Sequence, residues 1–380
     1  MQKPNSHNEW DPLKEVIVGS AENYLSHDRE LSFDIFFHEN IFKSDWAYPR
    51  LKKTSNGTVT ATRQEINHRY VRELHEDVEN LALTLKKLGV VVHRPKTLPK
   101  NADTIKGFGW EATPIPALNI RDNTVIIGDE IIETPPAIRS RYLETRLMAE
   151  VFQDYFESGG RWTTMPRPIM TDCSFDTSYA KKISSTLGGP TEPIENVLPS
   201  EFDVGFEMML DGAQILRLGK DLIVNVANEN HNKAFNWLKR HLEHKYRVHK
   251  VIEMSDNHID SMILALKPGV FLARHAGIKN FMPDAFKNWK YIIPPEPKNF
   301  PKYNDGELIL TSPYIDINVL SINESDILVN SECDGLISCL DKNGFNPIPV
   351  QHRHRRLFGG GFHCFTLDTV REGELLDYSN

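Results

Sequence analysis

A short apolar strand signal recurs five times along this chain, and such a recurrence restricts the fold more than any single motif does. It reads VIVG at 16–19, VIIG at 125–128, LIVN at 222–225, VFLA at 270–273 and ILVN at 327–330. A polar or Pro/Gly turn comes just before each one: DPLKE, IRDNT, RLGKD, LKPG and NESD. Turn residues followed by β-branched runs read as hairpin exits into buried strands. Helical stretches follow. Leu74, Val78, Leu81, Leu85 and Leu88 fall on one helical face, as do Leu143, Leu147 and Val151, and then Phe235, Leu238 and Leu242. Shorter helices are expected near 281–288 and 333–342.

After each helix the sequence predicts another strand, at 89–95, 161–168, 246–252, 290–297 and 346–351. A further strand then leads into the next unit, in PALNI, EMMLDGAQIL, HIDSMILAL, YIDINVLSI and GFHCFTLDT. The last of these has no following unit and would pair back with the first strand. The expected architecture is therefore α/β, with repeated ββαβ modules closing a ring without free sheet edges, as propellers do. An ordinary two-domain α/β sheet is the competing architecture, and the unequal module lengths keep it open. No long Gly/Pro/Ser-rich linker marks a boundary, so one domain over 1–380 is expected. The segment 20–60 has no clean period and reads as an insertion or lid.

In such a ring, the strands that lead into the hairpin turns converge on the axis. Asp122, Asp211, His258, Asp260, Ser312 and Cys364 would then share a central cavity. The sharpest local signal is Gly359-Gly360-Gly361-Phe362-His363-Cys364. Glycines allow close backbone approach and positive φ, and a cysteine directly after them, on a short strand, is a candidate nucleophile once ionised. A buried structural cysteine is the ordinary alternative. In Asn257-His258-Ile259-Asp260, strand alternation would put His258 and Asp260 on one face. A His beside a Cys can shuttle protons, and a carboxylate can hold a guanidinium in a fork. Most His-x-Asp pairs are nonetheless surface or core-satisfied. Asp211 sits in an otherwise apolar strand and must be paired there, although a turn before Gly212 is a credible reading. Asp122, in Ile120-Arg121-Asp122, reads most plainly as a hairpin turn.

Other chemistries have less support. Cys333 and Cys339 read as packing residues. His352, His354, His363 and Cys364 have a metal-like composition, but their spacing matches no familiar zinc pattern, and a metal would consume the thiol. No metal is expected. Without a GxGxxG or P-loop, no nucleotide cofactor is expected either. The chain has 44 Lys and Arg against 52 Asp and Glu, for a formal net charge of −8. Its one dense cationic run, at 352–356, is too short for a nucleic-acid stripe. No stretch has the apolar length of a membrane span. The opening lacks the charged and apolar regions of a secretory signal, and four cysteines are too few for a disulfide framework. A reducing cytoplasm is the expectation.

Taken together, NSHNEWDPLKEVIVG, GDEIIETPPAIRSRYLE, RWTTMPRP, MLDGAQILRLGKDL, HIDS and GGGFHC-x-T-L-D resemble the arginine-dependent amidinotransferases, in that family's order and over nearly the whole chain. The opening and closing motifs look most like members serving antibiotic and toxin pathways. The resemblance implies a five-bladed α/β propeller and transfer of the amidino group of L-arginine to an amine, with release of ornithine. It also implies the roles. Cys364 matches the nucleophile, His258 the general acid/base, and Asp211 the acid that supports His258 and binds the guanidinium. Asp122 and Asp260 match carboxylates holding the guanidino group, and Ser312, with Thr311, matches the donor pocket. A homodimer is a further expectation of the resemblance. An arginine or agmatine deiminase is the enzymatic alternative, and a non-catalytic binder of arginine-like ligands is the alternative from another class. Two departures stand out. Gln214 replaces an acidic residue. Gly277 stands where the family often has an arginine, so either Arg274 takes over the donor carboxylate or the pocket recognises the donor differently. The segments 20–60 and 170–205 are expected to shape the choice of acceptor.

Overall fold

The computed structural model describes residues 1–379 except 29, 38–50, 54–58, 62–65, 179–196, 198, 299, 301–302 and 304–308, and at 51–53 and 59–61 the backbone alone. Five three-stranded sheets carry the fold. In each, the middle strand runs antiparallel to one neighbour and parallel to the other. The first sheet sets Leu13–Val18 between Thr366–Arg371 and Val91–His93. The second sets Glu130–Glu133 between Thr124–Ile127 and Arg161–Thr164. The third sets Asp221–Val226 between Ile215–Leu218 and Arg247–Ile252. The fourth sets Val270–Ala273 between Ile263–Lys267 and Lys290–Ile292. The fifth sets Asp326–Asn330 between Leu320–Ser321 and Asn346–Val350.

A helix or helical turn crosses from each middle strand to its parallel partner, as a parallel pair requires. The crossover in the first sheet is His68–Lys87. Asn67 caps its start by accepting the Arg69 N–H, and Lys86 and Lys87 stand in its last turn, where the helix dipole favours cations. Leu74, Val78, Leu81 and Leu85 form its buried stripe, while Leu88 is exposed. In the second sheet, 144–148 is a 3-10 turn and the α-helix begins only at Ala149–Glu157, with Leu143 exposed outside it. The third and fifth helices are Glu229–Leu242 and Asp334–Lys342; the fourth is the short Asp284–Lys287.

Several expected strands are corrected. The start of YIDINVLSI falls in the 3-10 turn Pro313–Ile317, with a strand only at Leu320–Ser321. VIIG at 125–128 belongs to an outer strand, and the middle strand is Glu130–Glu133. PALNI is a turn. The residues around His258 and Asp260 form turns between Arg247–Ile252 and Ile263–Lys267.

The apolar clusters are shared between modules. Ile17 packs with Ile126, Ile131 and Phe152. Ile132 packs with Leu222, Val224 and Phe235. Ile223 and Val251 join Leu264, Phe271 and Ile327. Leu328 and Val350 then join Val16, Val18 and Leu74, so the fifth module shares a core with the first. Cys333 and Cys339 pack against one of these cores, as expected. Among the described residues no helix is long and apolar enough to cross a membrane.

Candidate active site

The turns that join the modules carry the candidate residues. Asp122 lies in the turn before Thr124–Ile127. Asp211 is likewise not in a strand. It precedes the 3-10 turn Gly212–Gln214, and its backbone N–H is held by Gln214 Oε1 at 2.9 Å. The departure at Gln214 therefore has a structural use: its amide also donates to Asn225 O at 2.9 Å. Cys364 sits in the turn just before the strand Thr366–Arg371 rather than within a strand. Arg121 binds these segments together, donating to His363 O at 2.8 Å, Thr366 O at 3.0 Å and Asp368 Oδ1 at 2.7 Å.

Gly359 has φ +74, which favours glycine. The other two glycines serve close approach instead. A Cβ on Gly361 would stand 2.7 Å from Asn318 Cβ. Asn318 Oδ1 in turn accepts the Cys364 N–H at 2.9 Å and fixes the turn that presents the thiol.

One cavity collects Asp122, His258, Asp260, Thr311, Ser312 and Cys364. Asp211 does not line it and stands behind His258, with Oδ2 at 2.8 Å from His258 Nε2. Asp122 Oδ1 is 3.9 Å from His258 Nδ1, and the Cys364 S–H donates to Asp260 Oδ2 at 3.4 Å. Ser312 Oγ accepts the Tyr314 N–H at 3.1 Å, and Thr311 Oγ1 donates to Arg355 O at 3.2 Å. Tyr24, Phe36, Phe37 and Phe358 add an aromatic wall, and the Phe36 ring meets that of His258 at 5.5 Å. Of the two segments expected to form a lid or shape acceptor choice, 38–50 and 179–196 lie outside the described residues.

Several contacts to the candidate residues are not visible in the sequence. Arg141 donates to Asp122 Oδ2 at 2.5 Å and grips Glu144 with two bonds. His363 Nδ1 lies 2.7 Å from Asp260 Oδ2, and Glu9 faces the other ring nitrogen at 3.2 Å. Their only sequence signal was membership of the motifs around 7–13, 130–144 and 359–364.

The electrostatics are strongly polarised. Burial alone would lower the His258 pKa, but the charge of Asp122, then the hydrogen bond and charge of Asp211, raise it to about 9. Burial pushes the Cys364 thiol up, and the charges of Asp260 and Asp122 push it further. Burial also opposes ionisation of Asp260, yet the hydrogen bond and charge of His363 hold it below the usual carboxylate range. Asp122 Oδ1 and Asp260 Oδ1 are buried with no hydrogen-bond partner. Such carboxylate oxygens are costly unless an N–H-rich ligand meets them.

The His/Cys group with metal-like composition does not converge. His352 bonds Gly360 O, His354 bonds Glu73, and His363 bonds Asp260 and Glu9. A different set, Asp122, His258 and Cys364, places one donor atom each within 4.8 Å of one another and could hold a metal ion. A metal there would take the thiol out of use as a nucleophile.

No model of a known protein family matches the chain. Individual relatives do. It is 33% identical over 369 residues to inosamine-phosphate amidinotransferase 1 of Streptomyces griseus, covering 96% of each chain. It is 30% identical over 385 residues to the L-arginine:L-lysine amidinotransferase of Pseudomonas savastanoi pv. phaseolicola, covering 98% of this chain and 96% of that one. The solved structure of the Streptomyces griseus enzyme superposes with a TM-score of 0.79 at 32% identity, covering 100% of both chains.

Proposed function

The chain belongs to the amidinotransferase family and is a transferase, and from that premise we propose that it moves the amidino group of L-arginine to an acceptor amine through an amidino-Cys364 intermediate. The observation that carries the proposal is the meeting of Cys364, His258, Asp122 and Asp260 in one cavity, with a free oxygen on each carboxylate. The Pseudomonas relative is named for arginine and lysine, which supports arginine as donor and an amine as acceptor. Likeness to a solved amidinotransferase of the saxitoxin biosynthetic pathway from Microseira wollei, 29% identical with a TM-score of 0.76 and covering 99% of both chains, supports an acceptor amine of a secondary-metabolite pathway, such as an alkaloid, toxin or antibiotic. We read the five sheets, with their cores shared in cyclic order, as blades of a single five-bladed propeller around this cavity.

The steps follow from charge. In the free protein the thiol is neutral and the His258 ring protonated. A guanidinium entering beside Asp122 and Asp260 brings positive charge next to Sγ, which favours the thiolate. The thiol proton leaves to solvent. The thiolate attacks the central guanidino carbon, forming an S–C bond. The C–N bond to the donor side chain breaks as His258 protonates that nitrogen, and ornithine departs. The acceptor amine then attacks the amidino carbon, His258 takes its proton, and the C–S bond breaks to restore the thiolate. Splitting the transfer in this way suits covalent catalysis. Water must be excluded or the intermediate hydrolyses, and the segment carrying Phe36 and Phe37, within 20–60, is the proposed cover.

The test is intact-mass spectrometry of the protein after brief exposure to arginine without acceptor, beside Cys364→Ala. One added amidino group on the wild type, ornithine in solution and no adduct on the variant are expected. Steady release of citrulline and ammonia would instead make the chain a hydrolase. A folded protein inert to arginine would defeat the donor.

A further inference from the structure

The opening motif His7-Asn8-Glu9-Trp10-Asp11 takes no part in the steps above, yet it reaches the nucleophile through three side chains. Glu9 is 3% exposed, and its Oε2 lies 3.2 Å from His363 Nε2. The opposite nitrogen of the same ring, Nδ1, lies 2.7 Å from Asp260 Oδ2. That oxygen also accepts the Cys364 S–H at 3.4 Å. Behind Glu9, Arg217 closes a two-pronged bond at 2.9 and 2.7 Å. Arg217 also bonds Asp368 at 2.8 Å, and Arg121 bonds the same carboxylate at 2.7 Å. The chain of contacts thus runs from a buried charge cluster, through Glu9 and His363, to Asp260 and the thiol.

We propose that His363, oriented by Glu9, is a positioning residue that holds Asp260 by Oδ2, leaves Oδ1 for the substrate, and keeps the carboxylate in place when Cys364 ionises. The reason lies in what Oδ2 accepts. In the resting site it has two donors, the S–H and the imidazole N–H. Formation of the thiolate removes the first and leaves two anions adjacent, an arrangement that favours rotation of the carboxylate or reprotonation of sulfur. The imidazole N–H is the donor that survives. Glu9, on the far nitrogen, fixes the plane of the ring, and the arginines behind it keep Glu9 from turning away. A site of this kind needs the groups that touch substrate to be held by neighbours whose own hydrogen bonds are complete. The part of the inference that concerns Oδ1 rests on the amidino-transfer reading; the part that concerns the thiol does not.

The experiment uses the full chain and two variants that divide the ring in half. His363→Asn places an amide N–H near the position of Nδ1, keeping the bond to Asp260 and losing Glu9. His363→Gln reaches the position of Nε2, keeping Glu9 and losing Asp260. The first readout is the pH dependence of Cys364 alkylation by iodoacetamide, followed on the Cys364 peptide by mass. In His363→Gln, alkylation near neutral pH is expected to slow about tenfold and its midpoint to move to higher pH, the size of one charge-assisted hydrogen bond. In His363→Asn it is expected to stay within about threefold of wild type. Equal behaviour of the two variants, or no change in either, overturns the proposal, because a packing role would not distinguish the two halves of the ring. If a His363 variant fails to fold, Glu9→Gln supplies the reading: slower alkylation at unchanged melting temperature supports the proposal, and an unchanged pH profile overturns it. The second readout is the rate of amidino-adduct formation from arginine, expected to fall in the same order. Alkylation needs no donor, so a wild type that ignores arginine sinks the amidino-transfer reading while the alkylation comparison still decides the role of His363.

Discussion

Asp211 Oδ2 lies 2.8 Å from His258 Nε2, while Asp211 itself stands outside the cavity that His258 lines. On the proposed mechanism Asp211 acts through the imidazole, and its effect is expected in the pH dependence.

The His258 ring is raised to about 9, against burial, by the charge of Asp122 and by the hydrogen bond and charge of Asp211. A raised pKa means the ring can donate a proton at neutral pH and loses that ability as pH rises through about 9. Single-turnover adduct formation should fall on that limb. Asp211→Asn keeps shape but removes one of the three raising charges, those of Asp122, Asp211 and Asp260, so the limb should move down by roughly one pH unit. The same sign governs stability: this contribution is complete below the unfolded value of about 6.5 and lost as pH rises through about 9. The variant's deficit in melting temperature should accordingly be largest at low pH and shrink at alkaline pH. A limb that stays in place would show that another group donates the proton.

Arg274 lines the cavity, and among the described residues it has no carboxylate partner; its guanidinium lies 3.5 Å from Met262 Sδ and 4.7 Å from the Tyr314 ring centroid. Arg141, in the same cavity, is already bound to Asp122 and Glu144. Among the described residues lining the cavity, Arg274 is the arginine without a carboxylate partner, and it is proposed to meet a ligand carboxylate in a chain with glycine at 277. Arg274→Gln should raise KM for arginine by about 10- to 100-fold, the range of a charge-assisted bond. Agmatine, which lacks the carboxylate, should react equally with both proteins. Adduct-formation rates against each donor separate the outcomes, and equal losses with both would assign Arg274 to packing.

Gly361 abuts Asn318, whose amide oxygen holds the Cys364 N–H at 2.9 Å. An added Cβ must push Asn318 aside and carry the thiol with it. Gly361→Ala should cost about 1–3 kcal/mol in stability through overpacking. It should also slow adduct formation by about 100-fold, as displacements near 1 Å do. Denaturant unfolding and single-turnover kinetics measure the two effects independently. A variant that loses stability but keeps its rate would show that the turn can move without the thiol.

The sequence exposed most of the architecture because middle strands carry continuous apolar runs such as Leu222–Val224 and Val270–Ala273 between turns. The second module misled for a physical reason. Its middle strand begins and ends with Glu130 and Glu133, which are buried and satisfied by partners that are distant in sequence, including Arg161, His241, Trp162 and Arg167. Hydropathy cannot register a charge made tolerable by tertiary contacts, so the fully apolar outer run was read instead. At the site, Cys364, His258, Asp122 and Asp260 were legible as reactive residue types in compact motifs. Their placement by strand alternation was not, because turns present them. The pairs Glu9–His363 and Asp122–Arg141 were illegible as pairs, since nothing local reports which charge meets which. Asp211 was legible as a partner of His258, but its position outside the cavity was not.

The strand Leu13–Val18 is matched on one side by Thr366–Arg371. On the ribosome, the first of these emerges on the order of tens of seconds before the second. Throughout synthesis that edge stays open to other chains, and the cavity lacks the Cys364 thiol. Cys364 enters only with the residues that seal the edge, when every other wall of the cavity has already been made. A nascent or prematurely terminated chain thereby lacks the proposed nucleophile, and the sealing strand and Cys364 become available in the same few residues of translation.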